Sequence, residues 1–512
     1  MSKRRLIRPR QCVSSNVSKQ EATRASIASG ADVMLRQGIQ FGVSLVLARL
    51  LSPSDFGLVA LLSLFTSFSL IFVDCGFITA IVSRREIPPN GENTIFWFNL
   101  AAALLFAGAL VFLAPSIAKF YGREELVALL AVASAQVVAS AIGAVPGAIL
   151  LRDRRFDALL VVGASASIAS GVAGIGLALL GFGVWALAAQ MITASAVTTC
   201  ASWAVSGWRP QLEFDIAHLR SQWAFSSNLL LSRLLDLAYR QGFSGVVGKL
   251  YGMKELGLYN RGSNVQATVS AILEMVVGRV TLPFFSARAE DPSALRRAVR
   301  FTLQAVMAIN IPAMIGLAAL SDLVVVTLFG ESWRSSAPIL SVLALSGLLW
   351  PIHIVNLQVL IARGDSRTFM KLDVVKGLVG LVSVLVGSIF GIMGLAWSQV
   401  AIGAFGALVN ALPTKRSLDY GIREQATDIL GPLLLGALMG AGITGARGMF
   451  NLPPYLELAV LTFAGAVFYF GAGFVFRVQI LLEILQMLAS FGPPLCRVQT
   501  VSARKKKSVR GG

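Results

Sequence analysis

Seven basic side chains sit inside, or at the edges of, stretches that are otherwise apolar: Arg36, Arg49, Arg233, Arg240, Arg261, Arg279 and Lys376. A charge at the middle of a bilayer costs roughly 2.5–3.5 kcal/mol on insertion scales, so such residues face a protein interior or a water-filled cavity. Some have an acid at helical spacing: Asp32 lies four residues before Arg36, Asp236 lies between Arg233 and Arg240, and Asp373 lies three before Lys376. Those pairs would neutralise charge within one helix, and Arg49, Arg279 and Lys376 are also near enough to helix ends to snorkel. Arg36, Arg233, Arg240 and Arg261 share only Asp32 and Asp236, which leaves their region net positive. A cationic cavity suits an anionic ligand, and the forked guanidinium matches phosphate oxygens. These four arginines are therefore expected to line a substrate path. Asp74 and Glu274 have no base at helical spacing; they are expected either to take a proton or cation or to pair across helices.

Other chemistries find no footing in the residue pattern. The two histidines, His218 and His353, have no triad or ligand pattern around them. The four cysteines, Cys12, Cys75, Cys200 and Cys496, are scattered without a CxxC pair, so neither a disulfide framework nor a metal site is expected. No GxGxxG or Walker-type phosphate loop follows a plausible strand, so no cofactor is expected and ATP is not the expected energy source. The segments between apolar stretches are too short to build a soluble active site. The reading is of a protein that is not an enzyme.

The elements that must position these charges follow from composition. Of 512 residues, 55% are apolar and 14% charged, against about 25% charged in soluble domains. The apolar residues fall in windows long enough to cross roughly 30 Å of hydrocarbon as helices. These windows are 25–50, 56–83, 93–114, 126–151, 158–180, 183–206, 220–247, 256–284, 297–320, 335–361, 370–390, 392–412, 425–446 and 455–476. The expected fold is an all-α polytopic membrane protein of about 14 transmembrane helices. An even number places both termini on one side. The tails and loops of that side, with the window ends that flank them (Arg220, Arg297, Arg300 and Lys371), hold 31 of the 44 Lys and Arg, and the opposite loops hold six. That asymmetry predicts cytoplasmic termini. The net charge of +18 is thereby accounted for by topology, not by nucleic-acid binding. The basic N-terminus has no apolar core of its own, so no cleaved signal peptide is expected. The ARKKKSVR tail at 503–510 reads as a cluster facing anionic lipid.

One phrase occurs twice. Residues 48–58 read ARLLSPSDFGL and residues 248–258 read GKLYGMKELGL, matching Arg49 with Lys249, Leu50 with Leu250, Asp55 with Glu255, Gly57 with Gly257 and Leu58 with Leu258. Locally it is helix punctuation: Ser52 is an N-cap, Pro53 suits the first helical position and Asp55 completes a capping box. At long range, six helices separate the copies, which predicts two parallel six-helix lobes related by a pseudo-twofold axis, with a cavity between them. The expected organisation is a basic cytoplasmic tail at 1–24, an N-lobe at 25–206, a linker at 207–219, a C-lobe at 220–412, an accessory helix pair at 413–476 and a basic cytoplasmic tail at 477–512.

With these features in place, the sequence resembles the polysaccharide-type, Wzx-like flippases of the multidrug/oligosaccharidyl-lipid/polysaccharide exporter superfamily. The resemblance is carried by LARLLSPSDFGLVAL at 47–61, VDCGFITAIVSR at 73–84, PGAILLRDRRFDAL at 146–159, LYGMKELGLYNRG at 250–262 and RVTLPFFSARAEDPSALRRAV at 279–299. It covers roughly residues 25–420. It implies a transporter in the bacterial cytoplasmic (inner) membrane that moves an undecaprenyl-pyrophosphate-linked oligosaccharide by alternating access. The product pathway would be exopolysaccharide, capsule or O-antigen (lipopolysaccharide) synthesis. The implied partners are that lipid-linked substrate, membrane lipids and a polysaccharide polymerase with its export machinery, and no nucleic acid. Rival readings are a drug/cation antiporter of the same superfamily, which should favour an acidic cavity, a lipid II flippase, and a membrane polymerase or ligase, which should need a large outer catalytic loop.

Overall fold

The computed structural model describes residues 37–83, 91–449 and 451–476, and among them every regular element is helical. A backbone inside hydrocarbon must satisfy its own hydrogen bonds, and a helix does so within one segment. The first helix, α1, occupies residues 37–50 of the described chain. It is followed by α2 (Pro53–Asp74), α3 (Phe77–Ser83), α4 (Gly91–Tyr121), α5 (Glu125–Arg152), α6 (Phe156–Leu179) and α7 (Val184–Ser206). Next come α8 (Ile216–Leu250), α9 (Gly252–Ser286), α10 (Pro292–Ala319), the short α11 (Ser321–Phe329) and a 3-10 turn at Glu331–Ser336. The chain continues through α12 (Ala337–Ala362), α13 (Ser366–Gly387), a second 3-10 turn at Ser388–Phe390, α14 (Gly391–Leu418), α15 (Ile422–Ala446) and α16 (Pro454–Val475).

Ten helical stretches among the described residues are long and apolar enough to cross a membrane, one of them running from Ser366 to Leu418 through the second 3-10 turn. The protein is a polytopic membrane protein. Eleven of the fourteen apolar windows read from the sequence fall on these ten stretches, 220–247 and 256–284 lie on α8 and α9, and 25–50 is described only from residue 37, as α1; two windows carry a break inside. Window 56–83 breaks at Cys75–Gly76, and window 370–390 breaks where α13 gives way to the 3-10 turn. Helices α8 and α9, each 35 residues long, are not among the ten. They carry most of the intramembrane charge: Arg233, Asp236 and Arg240 on the first, Arg261, Glu274 and Arg279 on the second.

Helix starts follow the expected chemistry. The Ser52 hydroxyl accepts the Asp55 amide and the Asp55 carboxylate accepts the Ser52 amide, a complete capping box with Pro53 at the first position. At α10 the Asp291 carboxylate accepts the amides of Ser293 and Ala294, again followed directly by proline. These amide bonds hold the exposed Asp291 carboxyl below the usual carboxylate range.

Backbone contacts group the described chain into two compact units. The first takes in the described part of Met1–Ala267 with Ser321–Leu343 and Asp373–Ile402. Within it α4, α5, α6 and α7 pack side by side, and α2 lies against α4, α5, α7 and α8. The second unit takes in Thr268–Leu320, Ala344–Leu372 and the described part of Gly403–Gly512. There α10 packs along α15, with α16 beside both. A Cβ on Gly436 of α15 would come within 2.5 Å of the Ile311 side chain, so glycine permits that approach. The polar groups of this unit pair with one another: the Asn356 and Gln425 amides exchange two hydrogen bonds of 2.9 Å, and Arg300 and Tyr420 both reach the Asp428 carboxylate.

Candidate functional site

Asp74 is the last residue of α2, and the helix stops there because Cys75 (φ +43°) and Gly76 (φ +82°) turn the chain through left-handed conformations. A serviceable break is made in three residues. The Cys75 amide donates to the Ile71 carbonyl, its thiol donates to the Phe72 carbonyl at 2.6 Å, and Asp74 Oδ1 accepts the Ile78 amide of α3 at 3.0 Å. Broken helices at membrane depth occur where the freed backbone is buried in protein or lines a water-filled cavity.

A cavity of about 330 Å³ opens at this break, lined by residues of α2, α3, α4, α5 and α8. Its polar wall is Asp74, Asn99 of α4, Ser140 of α5 and Arg233 of α8, and the remainder is aliphatic, including Leu70, Ile71 and Ile78. Arg233 donates through Nη1 to Asp74 Oδ2 across the helices. The two side chains are 37% and 24% exposed, so the pair is wetted from the cavity. Asn99 is fully buried, and neither its Oδ1 nor its Nδ2 has a partner. The Ser140 hydroxyl donates to Ser195 Oγ at 3.2 Å.

Arg261 is built into a different place. It is 6% exposed, and its guanidinium carbon lies 4.3 Å from the Phe56 ring centre, 4.7 Å from Phe329 and 4.9 Å from Trp333. Its Nη1 donates to Ser44 Oγ at 2.7 Å, while Nη2 is buried without a partner. Trp333 in turn donates from Nε1 to the Ala48 carbonyl at 2.7 Å. A weakly hydrated, planar cation tolerates such a cage because ring faces replace water.

The duplicated phrase meets itself beside this cage. A Cβ on Gly57 would strike the Met253 carbonyl and lie 3.1 Å from the Gly257 nitrogen; one on Gly257 would strike the Pro53 carbonyl and lie 3.1 Å from the Gly57 nitrogen. Pro53 and Met253 are equivalent positions of the two copies, so the contact is reciprocal. The bases of the copies behave in the same way. Arg49 donates to the Thr327 and Leu328 carbonyls at the end of α11, at 2.5 and 3.2 Å, and Lys249 donates to the Phe120 carbonyl at the end of α4. Each base sits at the negative end of a helix that belongs to the other copy's half of the sequence.

Of the residues singled out from the sequence, Arg233 and Asp74 come together, Arg261 lies in the cage, and Glu274 is exposed on α9. Arg36 with Asp32 lies outside the described residues, as do the tails at 1–24 and 477–512 and the side chains of His218, Asp236, Arg240 and Arg279. Lys376 keeps its expected partner Asp373, at 3.1 Å. Arg49 finds helix-end carbonyls. Sequence reading did not single out Asn99, because an asparagine in an apolar window carries no charge to mark it; nor did it find the aromatic cage, which joins Phe56 to Phe329 and Trp333 across more than half of the chain. No group of three His, Cys, Asp or Glu that could hold a metal exists among the described residues.

Comparison with known proteins bears on what this arrangement serves. The family described as polysaccharide biosynthesis protein matches residues 46–338, and the family described as lipid II flippase MurJ matches residues 256–462. The chain is 27% identical over 417 residues to the teichuronic acid biosynthesis protein TuaB of Bacillus subtilis (strain 168), covering 79% of this chain and 85% of that one. It is 29% identical over 315 residues to the succinoglycan biosynthesis transport protein ExoT of Rhizobium meliloti (strain 1021), covering 61% of this chain and 64% of that one. The fold is similar to that of the lipid II flippase MurJ in an inward closed conformation, with a TM-score of 0.72 at 15% identity over 89% of this chain and all of the other.

Proposed function

The chain belongs to the polysaccharide biosynthesis protein family, and from that premise we propose that it is a flippase for a lipid-linked oligosaccharide, in which an isoprenoid pyrophosphate carries the glycan across the bacterial inner membrane. The observation that carries the reading is Arg233, a half-buried guanidinium at a polar cavity beside a broken helix. A pyrophosphate entering there would compete with Asp74 for the guanidinium fork, and a competitor already in place keeps the grip weak enough for release. No bond in the substrate is made or broken, so the protein acts by binding and reorientation, and a polysaccharide polymerase would consume the product.

Both termini lie in the cytoplasm on this reading, since the basic residues gather in the loops on their side. The reciprocal contact of Gly57 with Gly257 supports two six-helix lobes, 25–206 and 220–412, with helices 413–476 as an accessory pair. The contact then closes the outer side while the Asp74 cavity faces inward. As the lobes rock, the cage around Arg261 would open and present that guanidinium to the path, joining Arg36, Arg233 and Arg240 along the substrate's route. Asp74, once released by Arg233, and Glu274 are the groups proposed to take the coupling ion. Single substitutions of Arg36, Arg233, Arg240 and Arg261 by Ala, scored for lipid-linked oligosaccharide turnover against membrane protein level, test the assignment. Turnover falling about tenfold or more at normal protein level is the expected outcome for a lost charge-assisted pair, and unchanged turnover in all four would refute it.

A further inference from the structure

Two clasps of one design hold the closed side at the duplicated phrase. In each, the base of one copy donates to carbonyls at the end of a helix from the other half of the sequence, and an aromatic side chain just beyond those carbonyls donates back. Arg49 gives to the Thr327 and Leu328 carbonyls at 2.5 and 3.2 Å, and Trp333 returns a bond from Nε1 to the Ala48 carbonyl at 2.7 Å. Lys249 gives to the Phe120 carbonyl, and the Tyr121 hydroxyl returns one to the Gly245 carbonyl at 3.4 Å. The design is shared but the build is not. Trp333 is fully buried, Ala48 is 1% exposed, and the indole meets the Phe56 ring edge-on at 5.3 Å inside the cage that holds Arg261. Parting that clasp breaks three hydrogen bonds and opens three aromatic faces to water. The other clasp is wet already. Lys249 is exposed, Phe120 is 54% exposed, and the ammonium lies 4.2 Å from the Phe120 ring centre. A lysine ammonium is a strongly hydrated point charge, so water takes the place of carbonyl and ring at little cost.

We propose that the closed side opens in two ordered steps: the Lys249–Tyr121 clasp parts first, and the Arg49–Trp333 clasp parts only after it. The order follows from what each half-open state leaves buried. With only the Lys249 clasp parted, Phe56, Phe329 and Trp333 still bury one another around Arg261; with only the Arg49 clasp parted, they do not. The first state is therefore the lower in free energy, and the route through it is the one populated. In the transport cycle the Arg261 guanidinium is then the last group freed, after water has entered at Lys249. The proposal rests on the flippase reading for that place in the cycle and adds to it the sequence of the opening.

The test uses the full chain in lipid nanodiscs and a membrane-impermeant maleimide, with one buried reporter in each clasp: Gly248→Cys, whose side chain would face Tyr121, and Ala48→Cys. Labelling of each is read against the chain with its native cysteines alone. Lys249→Ala loosens the first step, on which both openings depend, so it should speed both reporters by the same factor, about two- to fivefold for an exposed charge contact. Trp333→Phe loosens only the second. It should speed Ala48→Cys about fivefold or more, because an indole N–H bond to a buried carbonyl is lost, and leave Gly248→Cys unchanged. Tyr121→Phe and Arg49→Gln, each removing a different bond of the same two clasps, give a second reading where a first variant does not fold. Ala48→Cys unmoved by Lys249→Ala would make the clasps independent, and Gly248→Cys sped by Trp333→Phe would make the opening a single step; either overturns the order. Labelling needs no substrate, so failure of the flippase reading shows separately, as lipid-linked oligosaccharide turnover that ignores the arginines while the labelling order stands.

Discussion

Arg233 and Arg261 are the same residue on neighbouring polar helices, and the sequence treats them alike, yet the fold houses them in opposite surroundings. Arg233 sits in a wetted cavity, paired with the Asp74 carboxylate and more than a third exposed. Arg261 is sealed between three aromatic rings, beside glycines whose backbones touch. A charge that must exchange partners is kept in contact with water, where forming and losing an ion pair costs little. A charge closed off from water is desolvated and given ring faces in its place. The difference teaches that an intramembrane arginine marks a functional region without saying which kind.

The comparison is broken most severely at the glycines. Gly57→Val and Gly257→Val each force a side chain into a backbone carbonyl that cannot swing aside, and should cost about 3 kcal/mol or more, since overpacking already costs 1–3 kcal/mol where neighbours can adjust. Thermal unfolding of each variant should show a large loss, and because the contact is reciprocal the two losses should be similar. Unequal losses would show that the two copies do not meet as equivalents.

Next in size comes Arg261→Lys. The ammonium keeps the charge but cannot lie flat among Phe56, Phe329 and Trp333, so a loss on the order of 1–2 kcal/mol is expected, visible as a lower melting temperature. A silent lysine would mean that charge alone matters there.

Much of this was legible in the chain itself. Ser52, Pro53 and Asp55 announce the start of α2, and they cap it as their types require. Where they are described, the apolar windows lie on helices because a bilayer leaves the backbone no alternative. The acid at helical spacing from Lys376 does pair with it. Arg233 shows where such reading stops: the Asp236 side chain, three residues away, lies outside the described residues, and the bond to Asp74, 159 residues distant, follows only from packing of α8 against the end of α2. The repeat at 48–58 and 248–258 announced an equivalence but not that Gly57 and Gly257 would touch, since contact between copies depends on how two helices cross. Asn99 was silent because hydropathy windows average it away.

The smallest expected effect lies outside the membrane. The amides of Ala294 and Ser293 hold the Asp291 carboxyl below the ordinary carboxylate range, so the folded state gains from its charge at any pH above that range and loses the gain as pH falls through the lowered value. Asp291→Ala should therefore lower the melting temperature slightly and by a constant amount from pH 8 to pH 5, with the difference from wild type shrinking in stronger acid. Asp291→Asn, which can still accept the same amides, should lose less.

The proposed flippase cycle rests first on Arg233, the guanidinium already open to the cavity, with Arg261 joining the path only when its cage opens. Its most direct test is lipid-linked oligosaccharide turnover in reconstituted vesicles by Arg233→Ala, measured beside the melting temperature of the same preparation. The predicted result is turnover reduced by about tenfold or more with a melting temperature within a few degrees of wild type, because a partly exposed ion pair contributes about 1 kcal/mol or less to stability. Wild-type turnover by a folded Arg233→Ala protein would contradict it.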